Sequence, residues 1–99
     1  MRKFTESKIE KMSDKEIKDK IEYLNNWKLV KNKLYGSYEF NDFKEAFSFI
    51  TKIATLAEKH NHHPEINNIY NKVNIKLTTH DIGGISKKDI KILNLIEKL

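Results

Sequence analysis

The sequence contains no cysteine, and this absence excludes several classes of function. There can be no disulfide framework, no thiolate nucleophile and no thiolate ligand for a metal ion. The chain also has no apolar run long enough to span a bilayer, and the residues after Met1 do not form the apolar core of a secretory signal. We therefore expect a soluble, cytoplasmic protein with no membrane partner.

Neither sign of charge is concentrated in one segment of the chain. Lysine and arginine together number 19 against 14 acidic residues, for a net charge of +5. In residues 15–20, for example, lysines are mixed with acidic residues. Nucleic-acid-binding domains usually gather their basic residues on one face. We therefore expect no nucleic-acid partner.

The length of 99 residues fits a single domain, because nothing in the sequence suggests a second core or a long linker. We expect residues 1–99 to form that domain, with residues 1–12 as a loose N-terminal arm. A domain of this size leaves a large share of its surface unburied, so association between copies would add stability. Oligomerisation is therefore an expectation from physical size alone.

Apolar spacing and turn residues predict one helix followed by a hairpin of two strands at the start of the chain. A helix is predicted over residues 13–24, where Ser13 and Glu16 have the spacing of a capping box. Residues 27–40 are expected to form two short strands, with a bend or bulge at Gly36. The first half therefore begins in the order helix, strand, strand.

A sustained 3.6-residue period predicts a long central helix, capped at its start by Asn41. It cannot run past about Asn61, because Pro64 disfavours helical backbone at His63 and its own ring would clash with the preceding turn. Its apolar stripe consists of Phe43, Ala46, Phe47, Ile50, Ile53, Ala54 and Ala57. We expect this stripe to face the core.

The C-terminal half predicts a second strand pair and a third helix. Residues 66–70 are expected to be extended, and alternation over residues 72–79 predicts a strand with one buried face. Ser86 and Asp89 form a capping box for the last helix, whose buried side is expected to extend to Leu99. The strand connections are too short for parallel crossovers. The predicted fold class is α+β, a four-stranded antiparallel sheet with three helices packed on one face, in the order α-β-β-α-β-β-α.

All four histidines lie between residues 60 and 80, namely His60, His62, His63 and His80. Imidazole titrates near neutrality, so such a cluster can donate and accept protons in one turnover. His60 is explained by the favourable interaction of a cation with a helix C-terminus. His62 and His63 leave a turn stiffened by proline, and His80 has the polar parity of its strand. These three histidines are therefore the candidate catalytic residues.

A metal site is the competing explanation for the cluster. Three imidazoles with Glu58 or Asp81 would complete a coordination shell. A helical metal pair usually lies four residues apart, whereas His62 and His63 are adjacent and point in different directions. We therefore expect no metal ligands among these residues.

The spacing of polar residues in this region resembles the signature of the pterin-4a-carbinolamine dehydratases. The matching residues are Glu58, His62, His63, Pro64, Tyr70, His80 and Asp89. Residues 77–84 also agree with the family, and the resemblance extends more weakly to Trp27 and residues 40–47. Departures are small, with Ser86 where the family often has threonine and Asn61 where some members carry an acid.

The resemblance implies a hydro-lyase that converts a 4a-hydroxytetrahydropterin, of the tetrahydrobiopterin type, to quinonoid dihydropterin and water in tetrahydropterin recycling. The elimination needs only proton transfers, so no cofactor is implied. His62 and His80 are the hypothesised acids and His63 the substrate-binding base, although these assignments are interchangeable on the sequence. Glu58, one helical turn before His62, is expected to orient an imidazole, and Trp27 to contact the pterin.

The resemblance also implies a homodimer or homotetramer with a small pterin as its substrate. Asp89 is expected to be structural, because the capping box with Ser86 explains it. Animal members of the family also serve as dimerisation partners of a transcription factor. A non-catalytic protein-binding module of the same fold, such as a transcriptional coactivator, is therefore the alternative function.

Overall fold

The computed structural model describes residues 9–99, so most of the predicted N-terminal arm, residues 1–8, lies outside the described part. The elements follow the predicted order α-β-β-α-β-β-α. The helices are α1 (Asp14–Ile21), α2 (Phe43–His60) and α3 (Lys87–Glu97), and the strands are β1 (Trp27–Val30), β2 (Lys33–Glu39), β3 (Glu65–Ile69) and β4 (Lys72–Leu77). A turn of 3-10 helix, His80–Ile82, lies between β4 and α3.

The four strands form one antiparallel sheet in the order β1-β2-β4-β3. The sheet consists of two β-hairpins, in which β1 pairs with β2 and β3 pairs with β4. The pairs join through β2 and β4, with Leu34 opposite Leu77 and Gly36 opposite Ile75. The predicted fold class is therefore confirmed.

The core lies between one face of the sheet and the three helices. From the sheet, Leu34, Val73, Ile75 and Leu77 are at most 1% exposed. The helices contribute Ile17, Ile21, Ala46, Phe49, Ile53, Ala57, Ile90, Ile92, Leu93 and Ile96. Removing these apolar side chains from water is the main term that favours the fold. None of the helices in residues 9–99 is long and apolar enough to cross a membrane.

Both predicted capping boxes are present. Ser13 and Glu16 exchange hydrogen bonds at the start of α1, and Ser86 and Asp89 do so at the start of α3. The hydrogen bond that the Ser13 backbone N–H donates lowers the pKa of the Glu16 carboxyl. These local signals start both helices at the expected residues.

The predicted cap of α2 is wrong by one residue. Asp42, not Asn41, is the N-cap, and its Oδ1 accepts a hydrogen bond of 2.8 Å from the N–H of Glu45. The N–H of Asn41 instead donates to the Glu45 carboxylate. Because Asn and Asp are both good caps and are adjacent here, the sequence alone does not separate them.

Only part of the predicted stripe of α2 faces the core. Phe43 and Phe47 are 50% and 53% exposed, and Ala54 is exposed as well. Phe49, which the stripe did not include, is buried instead. Leu99, predicted to be buried, is 45% exposed because it lies beyond the end of α3. α2 therefore presents a second apolar strip to solvent.

The predicted bend or bulge at Gly36 is wrong. Gly36 is regularly paired with Trp27 in β1 and with Ile75 in β4. A Cβ atom at Gly36 would lie 2.6 Å from two ring carbons of Trp27. The glycine is therefore needed for the close approach of the indole and not for an unusual backbone.

Candidate active site

His62 and His63 directly follow the C-terminal end of α2. Asn61 adopts the left-handed conformation, with φ 50° and ψ 44°, that commonly ends a helix. The N–H of His62 then donates to the carbonyl of Ala57 at 3.1 Å, which closes the turn. Pro64 disfavours helical backbone at His63. The two imidazoles therefore leave a well-defined helix-to-strand turn.

His80 begins the 3-10 turn that follows β4. The N–H of Thr79 donates to the carbonyl of Gly84 at 2.8 Å and holds the two ends of this loop together. Gly83 ends the turn with a φ of 62°, a left-handed conformation that glycine adopts without strain. The side chain of His80 is exposed, just beyond the C-terminal end of the inner strand β4.

The three predicted catalytic histidines line one cleft of about 340 Å³. Its lining residues are Ile9, Asn61, His62, His63, Thr78, Thr79, His80, Asp81 and Lys88. A neighbouring hollow of about 220 Å³ shares His63, Thr78 and His80 with the cleft. The volume of the cleft lies at the low end of the range for small-molecule sites. It suits a compact ring system.

A buried carboxylate holds His62. Its Nε2 lies 2.6 Å from Oδ1 of Asp89, and the Asp89 side chain is 0% exposed. The second oxygen, Oδ2, accepts hydrogen bonds from the Thr79 hydroxyl at 2.7 Å and from the Ser86 N–H at 2.9 Å. No hydrogen bond within residues 9–99 involves Nδ1 of His62. The contact with Asp89 therefore leaves Nδ1 as the ring nitrogen that can meet a substrate.

An exposed carboxylate accompanies His63. Oε2 of Glu58 lies 2.6 Å from Nε2 of His63, and the two side chains are 79% and 57% exposed. Water competes for such a contact, so it restrains the ring less than a buried carboxylate would. In the described chain no side-chain hydrogen bond is made by His80. The three imidazoles are therefore held to different degrees.

Trp27 does not line the cleft that contains the histidines. Its side chain is 5% exposed and packs over Gly36. Its Nε1–H donates to the hydroxyl of Tyr38 at 2.8 Å, and that hydroxyl is hydrogen-bonded to Glu97 in α3. These contacts are those of a core residue that ties β1, β2 and α3 together.

Among residues 9–99 no three His, Asp or Glu side chains are placed so that together they could hold a metal ion. Two of the three histidines have carboxylate partners instead. An imidazole with one nitrogen on a carboxylate and the other unengaged is the arrangement used for proton transfer.

A family model described as pterin 4 alpha carbinolamine dehydratase matches residues 10–99. The chain belongs to this dehydratase family. A protein of Prochlorococcus marinus that carries the dehydratase name of the family is 47% identical over 88 residues, which are 89% of this chain and 92% of that protein. One of Christiangramia forsetii is 40% identical over 91 residues, 92% of this chain and 94% of that protein.

One solved structure agrees with membership of the pterin-4a-carbinolamine dehydratase family, and a second shares the fold. A crystal structure of a transcriptional coactivator/pterin dehydratase from Brucella melitensis has a TM-score of 0.85 and 33% sequence identity, covering 90% of this chain and 97% of that one. A pterin dehydratase-like protein described as a RuBisCO assembly factor in the alpha-carboxysome has a TM-score of 0.60 at 20% identity, covering 73% and 83%. The second likeness concerns the fold alone.

Several residues that line this dehydratase-family cleft, or support its histidines, have contacts that the sequence does not predict. Asp89 was assigned only a capping role, yet it also contacts His62 across 27 positions of sequence. Thr79 supports the same carboxylate. Ile9, predicted to be part of a loose arm, and Lys88 line the cleft as well. Each contact depends on how distant segments meet, and no local sequence pattern signals it.

Proposed function

We propose that this protein is a 4a-hydroxytetrahydropterin dehydratase, a hydro-lyase that forms quinonoid dihydropterin and water from a substrate of the tetrahydrobiopterin type. The observation that carries the proposal is a single cleft lined by His62, His63 and His80, two of which have carboxylate partners. Membership of the dehydratase family supports the same reaction.

The reaction is an elimination in which only protons are exchanged with the protein. The bond between C4a and its hydroxyl oxygen breaks, and a double bond forms between C4a and N5. An acid protonates the departing oxygen, which leaves as water, and a base removes the proton from N5. Two imidazoles in opposite protonation states are sufficient for both transfers.

The histidines are assigned by how firmly each ring is held. His62, fixed by Asp89, presents Nδ1 to the substrate as an acid for the hydroxyl, and His80 is the second acid. His63 binds the substrate and accepts the N5 proton, with Glu58 orienting its ring. A ring held in place by a carboxylate need not be reoriented at the moment of proton transfer, and such preorganisation favours the reaction.

The test is the rate at which purified protein, stripped of metal by a chelator, accelerates dehydration of a 4a-hydroxytetrahydropterin generated in situ. We expect acceleration by the wild type and none by a His63→Ala, His80→Ala double variant. His60→Ala is the matched control, because His60 lies in the last turn of α2 and does not line the cleft. A wild type with no effect would refute the dehydratase, and an active double variant would refute the roles of the histidines.

We also propose that the protein acts in the cytoplasm, in tetrahydropterin recycling. We propose that it does so as a homodimer or homotetramer. The exposed rings of Phe43 and Phe47 on α2 support self-association, because a second copy of the domain could cover them favourably. Light scattering on the purified protein would measure the subunit number, and a monomer at micromolar concentration would contradict the proposed self-association.

The alternative function is a protein-binding module, and one observation favours it. The rings of Phe43 and Phe47 lie 5.7 Å apart on α2, and both are about half exposed. The Brucella melitensis relative is described as a transcriptional coactivator as well as a pterin dehydratase. Suppose a Phe43→Ser, Phe47→Ser variant kept dehydratase activity but no longer bound a protein that the wild type binds. Protein binding would then be established as a second function of the same fold.

A further inference from the structure

The histidine cleft adjoins a larger groove of about 540 Å³ at the start of α3. Ile9 and Lys88 line both spaces, so the groove and the cleft share a wall. The other residues of the groove are Glu10, Lys11, Met12, Glu16 and Lys87. A ligand whose reacting atoms lie at the histidines therefore has a second space next to it.

The groove has an excess of positive charge. Three of its lining residues are lysines and two are glutamates. Within residues 9–99 no carboxylate lies within 4.0 Å of the ammonium groups of these lysines. One of the glutamates, Glu16, is occupied in its own capping box, where it accepts a hydrogen bond of 2.9 Å from the N–H of Ser13. Lys11 and Lys88 are therefore available to an anion from outside, whereas Lys87 already interacts electrostatically with Glu16.

Lys11 lines the groove, and its side chain lies close to Gly84, at the end of the loop that carries His80. A Cβ atom at Gly84 would lie 2.6 Å from Cε of Lys11 and 3.1 Å from its Cδ and Cγ. Gly84 does not have a positive φ, so its backbone conformation does not call for glycine. The next residue, Met12, donates its N–H to the carbonyl of Ile85 at 2.8 Å. This glycine therefore makes room for the aliphatic stem of a lysine.

The chemistry of the substrate indicates what would enter the groove. The substituent at C6 of a pterin is attached next to N5, the atom that loses a proton in the reaction. With N5 at the histidines, the first atom of that substituent is two bonds from N5, because C6 is bonded directly to N5. The groove, of about 540 Å³, is larger than the neighbouring hollow of about 220 Å³. A neutral hydroxylated chain has no charge to pair with Lys11 and Lys88, whereas a phosphate or carboxylate does.

We propose that Lys11 and Lys88 bind an anionic group, a phosphate or a carboxylate, at the end of the C6 substituent of the substrate. The preferred substrate is then a pterin with a charged substituent, and a pterin with a neutral one is a poorer substrate of the same cleft. This inference rests on the proposed dehydratase function, because it concerns the substrate of that reaction.

The test compares two substrates that differ only in a phosphate, the 4a-hydroxy derivatives of tetrahydroneopterin and of tetrahydroneopterin monophosphate. For the wild type we expect a KM about fivefold lower for the phosphate ester, a preference that weakens as ionic strength rises. Lys88→Met and Lys11→Met should each reduce the preference about threefold, and Lys88→Arg should retain it. Lys91→Met is the matched control, because Lys91 is exposed on α3 and lines neither space.

A third substrate, the 4a-hydroxy derivative of tetrahydropteroylglutamate, distinguishes a carboxylate from a phosphate as the bound group. Equal KM values for all three substrates would overturn the inference and leave the dehydratase standing. If no pterin were converted, the proposed function would fail, and fluorescence titration with oxidised neopterin and its monophosphate would decide the subsite. Equal affinity for neopterin and its monophosphate, or no binding of either, would then overturn the proposed anion subsite.

Discussion

Nε2 of His62 lies 2.6 Å from Oδ1 of Asp89, and the same carboxylate closes the capping box that starts α3. One buried side chain therefore stabilises a helix start and orients a histidine of the cleft. Thr79 and Ser86 hold its other oxygen. A change at Asp89 should consequently alter stability and activity together, which few surface residues of the cleft would do.

Asp89→Asn should lower both the free energy of unfolding and the dehydration rate. The amide has one oxygen where the carboxylate has two, so at least one of its three donors loses an acceptor. We expect a loss of about 2 kcal/mol in urea unfolding and at least a tenfold fall in kcat, measured where the variant is folded. Ser13→Ala, which removes the cap of α1, should cost about 1 kcal/mol and leave kcat unchanged. Full activity of Asp89→Asn would contradict the orienting role.

Glu58→Gln should affect activity with little effect on stability. The contact between Glu58 and His63 is exposed, so its loss should change the free energy of unfolding by less than about 0.5 kcal/mol. We expect kcat/KM to fall several-fold because the His63 ring is no longer oriented by a charged acceptor. Glu39→Gln, an exposed carboxylate of β2 outside the cleft, is the control. If both variants behaved alike, Glu58 would have no role in the site.

Gly36→Ala should destabilise the protein through the indole of Trp27. The added methyl group would lie 2.6 Å from the ring carbons, so the ring or the strand must shift. We expect a loss of about 1–3 kcal/mol in urea unfolding. In a Trp27→Phe background, where the ring is smaller, the same substitution should cost clearly less. Equal losses in the two backgrounds would show that the contact with Trp27 is not the cause.

The elements that were predicted correctly depend on residues close together in sequence. The capping box of Ser13 and Glu16 occupies four consecutive positions, and it begins α1 in the structure as expected. Likewise the end of α2 follows from Pro64 and the residues just before it. Such signals act within one or two turns of chain, so they can be identified without knowing the fold.

The features that were not predicted depend on contacts between distant segments. A 3.6-residue period shows that α2 has an apolar side, but only packing shows that Phe43 and Phe47 lie outside the core. Gly36 has to be a glycine because the indole of Trp27, from β1, packs directly over its Cα atom and leaves no room for a side chain. The partner of His62 comes from the start of a helix that follows two further strands. The sequence therefore predicts the histidines and the nearby Glu58, which contacts His63, but not the distant Asp89 that positions His62.

Tyr38 should make stability depend on pH in the alkaline range. Burial, and next the hydrogen bond to Glu97, raise the pKa of the Tyr38 phenol well above the usual range of tyrosine. Above about pH 10 an unfolded chain loses this proton while the folded chain keeps it. The folded state then binds more protons, so this contribution to stability is complete below pH 10 and is lost as pH rises further.

The measurement is urea unfolding of the wild type, Tyr38→Phe and Tyr23→Phe at several pH values from about 8 to 11. The free energy of unfolding should fall less steeply with pH in Tyr38→Phe than in the wild type, because the perturbed phenol is gone. The slopes are compared, not the absolute stabilities, since Tyr38→Phe also removes an acceptor from Trp27. Tyr23 is 71% exposed, so Tyr23→Phe should follow the wild-type slope. If Tyr38→Phe followed that slope too, the hydroxyl could not be as strongly coupled to Glu97 as its contacts imply.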